Sequence, residues 1–254
     1  MSEVQFRAGK NLLRGHFHYP ATSVAQLPGV LIIPGFADTA VGPHNMHCAL
    51  ARALTEAGLA VLRFDYHGQG ESEGDFRDFT AQSGLGDARA ALEVLRMQAG
   101  VDAKRLGAIG FSLGAALACS LAAEVASVQV LTLLAPVAYP QSVFRTFFSP
   151  QHLEQAELYG WMDWHGWAVG GEYLPSLSTL EPLKALKCAQ AATLVMQGTE
   201  DIEVLPENGE AYAAHGASIH WLKGGDHQFS SVYLQEEIIQ KTVSWFQAHW
   251  KLPK

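Results

Sequence analysis

Apolar and polar positions along the chain sort into five short, largely apolar runs separated by stretches with helical spacing: Val30–Ile33, Ala60–Phe64, Leu106–Phe111, Val128–Leu134 and Thr193–Met196. Strands buried on both faces read as continuous apolar segments, and parallel neighbours need helical crossovers between them. The pattern therefore predicts an α/β fold with a mostly parallel central sheet and helices on both faces. A sixth run, Ser218–Leu222, precedes Gly224-Gly225 and a final helix from about Val232 to His249. At the other end, Val4-Gln5-Phe6 and Leu12-Leu13 flank Gly9-Lys10-Asn11, which predicts an antiparallel hairpin at one edge of the sheet.

The rhythm breaks once. More than fifty residues separate Ala135-Pro136 from the strand near Thr193, far more than one crossover helix requires. The stretch is rich in aromatic residues and carries Gly170-Gly171 as a hinge, so residues 139–180 are expected to form an inserted cap on a core made of 1–138 and 181–254. An insertion at this point overhangs the carboxyl ends of the strands, where ligands bind in such sheets. Trp161, Trp164 and Trp167 are three apart, which places them along one side of a helix and makes them candidates for substrate contact.

Candidate chemistry centres on Gly110-Phe111-Ser112-Leu113-Gly114, where an apolar run passes into an alanine-rich helix. The segment reads either as a tight turn whose small residues let the helix pack on its strand, or as a nucleophile elbow that lifts the Ser112 hydroxyl above the sheet. A serine hydroxyl is a weak nucleophile and needs a base within reach and a third group to orient that base. Of eleven histidines, His227 in Gly224-Gly225-Asp226-His227-Gln228-Phe229 follows the last strand, on the same face as the elbow. By that loop alone it is equally a helix-capping residue. The loop after the fifth run offers Glu200, Asp201 and Glu203 as the orienting acid. Two N–H groups would hold a tetrahedral oxyanion, that of Leu113 after the nucleophile and that of Phe36 in Pro34-Gly35-Phe36-Ala37.

Charge and composition narrow the remaining classes. The chain has 254 residues, a net charge of -8 and no run of lysine or arginine, which argues against nucleic acid as a partner. No apolar run is long enough to span a bilayer, and the N-terminus lacks the apolar core of a secretory signal. Three cysteines at long spacing fit neither a disulfide framework nor a zinc site. A cytoplasmic protein with reduced thiols is expected, either monomer or homodimer, with Cys119 serving in packing. No metal or cofactor motif is present, and none is expected to be needed.

Taken together, these segments resemble the α/β-hydrolase superfamily over the whole chain, and more closely its bacterial cinnamoyl and feruloyl esterases and the neighbouring serine-aminopeptidase-like hydrolases. The matching residues are Pro34-Gly35-Phe36, the run Arg63-Phe64-Asp65-Tyr66-His67-Gly68-Gln69-Gly70-Glu71-Ser72, the elbow, Gly198-Thr199-Glu200-Asp201 and Gly224 to Ser230. The resemblance implies Ser112 as nucleophile, His227 as base and Asp201 as the acid, with Phe36 and Leu113 at the oxyanion. It implies a structural role for the loop from Asp65 to Ser72. Pro34 stands where those esterases usually have histidine, and Phe-Ser-Leu-Gly replaces their His-Ser-Gln-Gly, so substrate identity is not carried over. The expected activity is hydrolysis of small-molecule carboxylic esters of small to medium acyl groups, aromatic ones included. A peptidase, an acyl-CoA thioesterase and a non-catalytic ligand-binding protein are the alternatives.

Overall fold

Val30, Leu31, Ile32 and Ile33 are all buried, yet Leu31 and Ile33 pack into one apolar cluster while Val30 and Ile32 pack into another. Successive side chains of a strand point to opposite faces, so this sorting marks a sheet with a core on each side. The computed structural model describes residues 1–20 and 26–250. Among them the main sheet has eight strands: β1 (Ser2–Ala8), β2 (Asn11–His18), β3 (Leu27–Ile33), β4 (Ala60–Phe64), β5 (Val101–Phe111), β6 (Val128–Leu134), and then, beyond a small hairpin of β7 (Trp161–Trp164) and β8 (Trp167–Gly170), β9 (Ala192–Gly198) and β10 (Ser218–Leu222). The order is β1-β2-β4-β3-β5-β6-β9-β10, antiparallel at β1-β2 and β2-β4 and parallel elsewhere. Three predicted runs coincide with their strands, and the edge hairpin turns at Gly9-Lys10, where Ala8 pairs with Asn11.

Helices cover both faces. One cluster holds α1 (Met46–Glu56) and the closing helix α9 (Val232–Trp250). The larger one holds α2 (Ala81–Met97), α3 (Leu113–Glu124), α7 (Pro182–Ala189) and α8 (Glu207–Ala214). Cys119 lies inside it on α3, where burial pushes its thiol up to about 12, so the residue packs and does not ionise. No helix of the described residues is long and apolar enough to cross a membrane.

Between β6 and α7 the chain forms α4 (Pro140–Phe147), α5 (Pro150–Tyr159), the β7-β8 hairpin and α6 (Tyr173–Ser176). The three tryptophans are therefore on a hairpin and not along a helix. Left-handed Gly160 ends α5 directly before Trp161, and His165-Gly166, both at positive φ, make the two-residue turn that hairpins favour. Trp164 pairs directly with Trp167 and shares its face, whereas Trp161 points to the other side. Gly170 allows a close approach, because a Cβ there would lie 2.0 Å from the Arg77 carbonyl oxygen. The Ala81 N–H donating to Ser176 Oγ at 2.9 Å adds a second tie between core and insertion.

Arg63 on β4 anchors the loop that follows β3, its Nη1–H donating to the Ala40 carbonyl at 2.8 Å while its Nε–H donates to His18 Nε2 at 3.0 Å. Burial, helped by the Arg63 charge, holds His18 down from 6.5 to about 4. The folded chain keeps this imidazole neutral where the unfolded chain would protonate it, so stability is complete above the unfolded value and declines as pH falls towards the folded one. Urea midpoints are expected to drop between pH 6.5 and 4, and to drop less in His18→Gln, whose amide oxygen still accepts from Arg63. Equal slopes in the two proteins would remove His18 from the account.

Candidate active site

Strand β5 enters α3 through Ser112, whose backbone sits at φ 54° and ψ −118°. That positive φ is held by the Ser112 N–H, which donates to the Leu134 carbonyl at 2.9 Å. The flanking glycines provide room and not an unusual dihedral. A Cβ on Gly110 would stand 2.4 Å from the Gly114 carbonyl oxygen, and one on Gly114 would stand 2.3 Å from the carbonyl oxygens of Ile33 and Pro34. The two readings of the motif thus hold together: glycines press the helix onto its strand and onto the loop after β3, and the serine carries the turn.

Loops from two other strand ends meet this hydroxyl. Asp201 follows β9 and His227 follows β10. The His227 Nδ1–H donates to Asp201 Oδ2 at 2.9 Å, which leaves Nε2 to accept the Ser112 hydroxyl at 3.1 Å. All three side chains are buried. The Asp201 carboxylate also accepts the N–H groups of Glu203 and Val204 on Oδ1, at 3.0 and 2.8 Å, and the Gln197 amide on Oδ2 at 3.1 Å. Four donors fix its plane, and hence the plane of the imidazole. Glu200 and Glu203 are exposed, and Asp201 alone of the three carboxylates bonds the ring.

Leu113 opens α3, so its N–H has no partner within the helix and lies at the positive end of the helix dipole. Phe36 stands on the loop after β3, which crowds the elbow: a Cβ on Gly35 would lie 3.3 Å from the Cβ of Ser112. Asp65 and Tyr66, from the run given a structural role by the resemblance, hold this loop together with Asp38, which sequence reasoning missed. Tyr66 Oη–H donates to the Pro34 carbonyl at 3.1 Å, and burial raises the phenol well above its usual range, so it stays a donor. Asp65 Oδ1 accepts the Ala40 N–H at 2.6 Å. Asp38 accepts the N–H groups of Gly35 and Thr39, at 3.4 and 2.7 Å.

Above Ser112 opens a cavity of about 620 Å³. Its walls are Phe36, Phe111, Phe147, Trp164 and Trp167, with Asp38, His165, Glu203 and Gln228 adding polar groups. Trp161, on the far side of the hairpin, does not line it. A lone polar residue such as Gln197, closing an apolar run, is a signal that could have pointed to the support of Asp201. Nothing in the sequence marks His165, which reaches the cavity only because a hairpin turn carries it there.

The profile of the prolyl oligopeptidase family matches residues 46–252. An uncharacterised protein of Mycobacterium tuberculosis is 42% identical over 111 residues, 43% of this chain and 37% of that protein. An uncharacterised 31.7 kDa protein of Escherichia coli is 36% identical over 74 residues, 29% of this chain and 26% of that one, so in both cases the match spans well under half of the relative. Among solved structures, Est1E of Butyrivibrio proteoclasticus with ferulic acid bound superposes with a TM-score of 0.82 at 21% identity, covering 95% of this chain and 98% of that one. The esterase domain of a Rhodothermus marinus protein gives 0.75 at 20%, with 97% and 98% covered.

A serine hydroxyl that lines a cavity and is bonded to an imidazole should react with phosphorus electrophiles. A fluorophosphonate probe is expected to label Ser112, and His227→Ala to slow that labelling by about a hundredfold or more. Asp201→Asn should slow it less severely, with Glu200→Gln and Glu203→Gln near the wild-type rate. A slow Glu203→Gln beside a fast Asp201→Asn would reassign the acid.

Proposed function

The chain belongs to the prolyl oligopeptidase family of α/β-hydrolases, and from that membership we propose that it is a serine hydrolase cleaving carboxylic esters of small to medium acyl groups, aromatic ones included, through an acyl-enzyme. The observation that carries the reading is the imidazole of His227 held between Asp201 and Ser112 at 2.9 and 3.1 Å, at the foot of an aromatic cavity. Ser112 Oγ attacks the ester carbonyl carbon while its proton passes to His227 Nε2. The oxyanion accepts the N–H groups of Phe36 and Leu113, and Asp201 stabilises and orients the imidazolium. The imidazolium then protonates the departing alkoxide, leaving the acyl group on Ser112. Water, deprotonated by His227, attacks that acyl carbon, and the imidazolium returns the proton to Ser112 Oγ as the acyl–oxygen bond breaks and the carboxylic acid leaves.

Cavity chemistry supports the substrate class. Five aromatic side chains suit a planar or bulky acyl group, and a cavity of this size matches a small ligand. Asp38 and Glu203 stand among the lining residues and no lysine or arginine does, which favours neutral esters over acyl-CoA thioesters, whose phosphates call for basic partners. Est1E, whose structure holds ferulic acid, offers an aromatic acid as a first substrate to try. The family assignment itself favours a second reading, cleavage of short peptides by the same groups. The insertion 139–180 acts in this account as the cap over the acyl group.

A turnover screen separates these readings: aryl acetates, methyl hydroxycinnamates, acyl-CoAs and aminoacyl amides, each with wild type and Ser112→Ala. Turnover of esters, abolished in Ser112→Ala, is the expected result, and preference for amides would move the reading to a peptidase. Trp167 lines the cavity and packs at a tilt of 56° against Phe76, with ring centroids 4.7 Å apart. Trp167→Ala is therefore expected to raise KM for a hydroxycinnamate ester by about tenfold while kcat/KM on an aryl acetate stays within about twofold. Equal losses on both esters would remove Trp167 from substrate choice.

A further inference from the structure

Phe36 is placed by its side chain as much as by its backbone. Its ring is surrounded by six aromatic groups, of which Phe76 and Phe79 belong to the core, with centroids at 5.3 and 6.4 Å. The other four come from the insertion. Tyr173 stacks on it at 4.4 Å and 22°, Phe144 meets it edge-on at 5.2 Å, Trp164 lies at 5.3 Å and Phe148 at 6.5 Å. The ends of the loop are fixed differently, by hydrogen bonds from residues 63–66 to Pro34 and Ala40. Between those anchors the Asp38 carboxylate accepts the Gly35 and Thr39 N–H groups, Gly35 and Ala37 have almost no side chain to hold, and the Phe36 ring is the large side chain that packs the middle of the loop.

We infer that the insertion is a positioning element for the oxyanion donor, setting the place of the Phe36 N–H through the Phe36 ring. The inference rests on the assignment of that N–H in the proposed function. Tyr173, Phe144 and Phe148 are then positioning residues: they touch neither the nucleophile nor its base, and they act through Phe36. The geometry has an energetic basis. Close-packed aromatic groups resist displacement, because each pair gains from a specific offset or edge-on arrangement. An oxyanion donor, in turn, is worth most when it needs no reorganisation as charge develops. The Tyr173 hydroxyl is buried with no hydrogen-bond partner among the described residues, so the position uses the ring.

This differs from a cap that only shapes the cavity, because an acetate ester too small to reach the cap would still feel the change. The test compares wild type, Tyr173→Ala and Tyr173→Phe in the full chain, at a temperature well below each melting point. The readouts are kcat and KM for p-nitrophenyl acetate and inhibition by a short alkyl boronic acid, whose adduct on Ser112 presents a tetrahedral anion to the donors. Tyr173→Ala is expected to lower kcat by about tenfold or more with KM within about twofold, and to weaken the boronate by a similar factor. Tyr173→Phe should match wild type in both. Should Tyr173→Ala lose its cooperative melt, Phe148→Leu carries the comparison, with a loss of about threefold expected in the same two readouts.

An active wild type whose kcat and boronate affinity survive these substitutions overturns the inference and leaves the proposed function standing. A loss in Tyr173→Phe equal to that in Tyr173→Ala overturns it as well, since the hydroxyl would then matter and not the ring. A wild type that neither turns over esters nor labels at Ser112 overturns the proposed function, and the inference with it.

Discussion

A residue with a side chain at φ 54° and ψ −118° occupies a sparsely populated backbone region, at a cost of about 1–3 kcal/mol. Ser112 keeps that shape because its surroundings leave no other. Strand β5 pairs on both sides, the Ser112 N–H is taken by Leu134, and α3 is pressed against Gly110 and the end of β3 with no space for a methyl group. From this forced turn follow the exposure of the hydroxyl towards His227, the start of α3 at Leu113 and the close approach of the loop bearing Phe36. Relaxing the turn would disturb all three together.

Around that turn two kinds of restraint divide the work. Directional hydrogen bonds fix the polar groups: four donors on the Asp201 carboxylate, Tyr66 on Pro34, Arg63 and Asp65 on Ala40. Aromatic packing fixes the apolar side, where the insertion shares the larger core cluster with α2, α3 and the sheet. Buried polar groups that find their partners rigidify a site. Packed rings do the same without demanding a charge, which suits the uncharged acyl group proposed for this cavity.

The sheet was legible because strands buried on both faces leave largely apolar runs, and Ala60–Phe64 and Val128–Leu134 appear with their observed limits, as does the partly exposed edge strand Ser218–Leu222. Strand β5 begins earlier than its apolar run, at Val101, because Leu27 pairs with Val101 across a register shift, a tertiary event that the polar stretch Asp102 to Arg105 conceals. The tryptophan hairpin was read as a helix because a spacing of three fits that period, and strands of four residues are too short to show alternation. Ser112, His227 and a carboxylate among Glu200, Asp201 and Glu203 could be nominated because each follows a recognisable strand, and the family resemblance singled out Asp201 and the role of His227. The ring partners of Phe36 could not, since their roles depend on which aromatic groups the fold brings together, while Gln197 shows only as a polar end to an apolar run and Tyr66 only as a member of a structural loop.

The central claim is that the acyl group of an ester is transferred to Ser112 before water releases it. Rapid acid quenching after mixing with excess p-nitrophenyl ester, followed by peptide mass spectrometry, tests it most directly. The account predicts a burst of p-nitrophenol approaching one per active chain, and an acyl mass increment confined to the peptide carrying Ser112. Ester hydrolysis with the increment on another side chain, or undiminished turnover in Ser112→Ala, would contradict it.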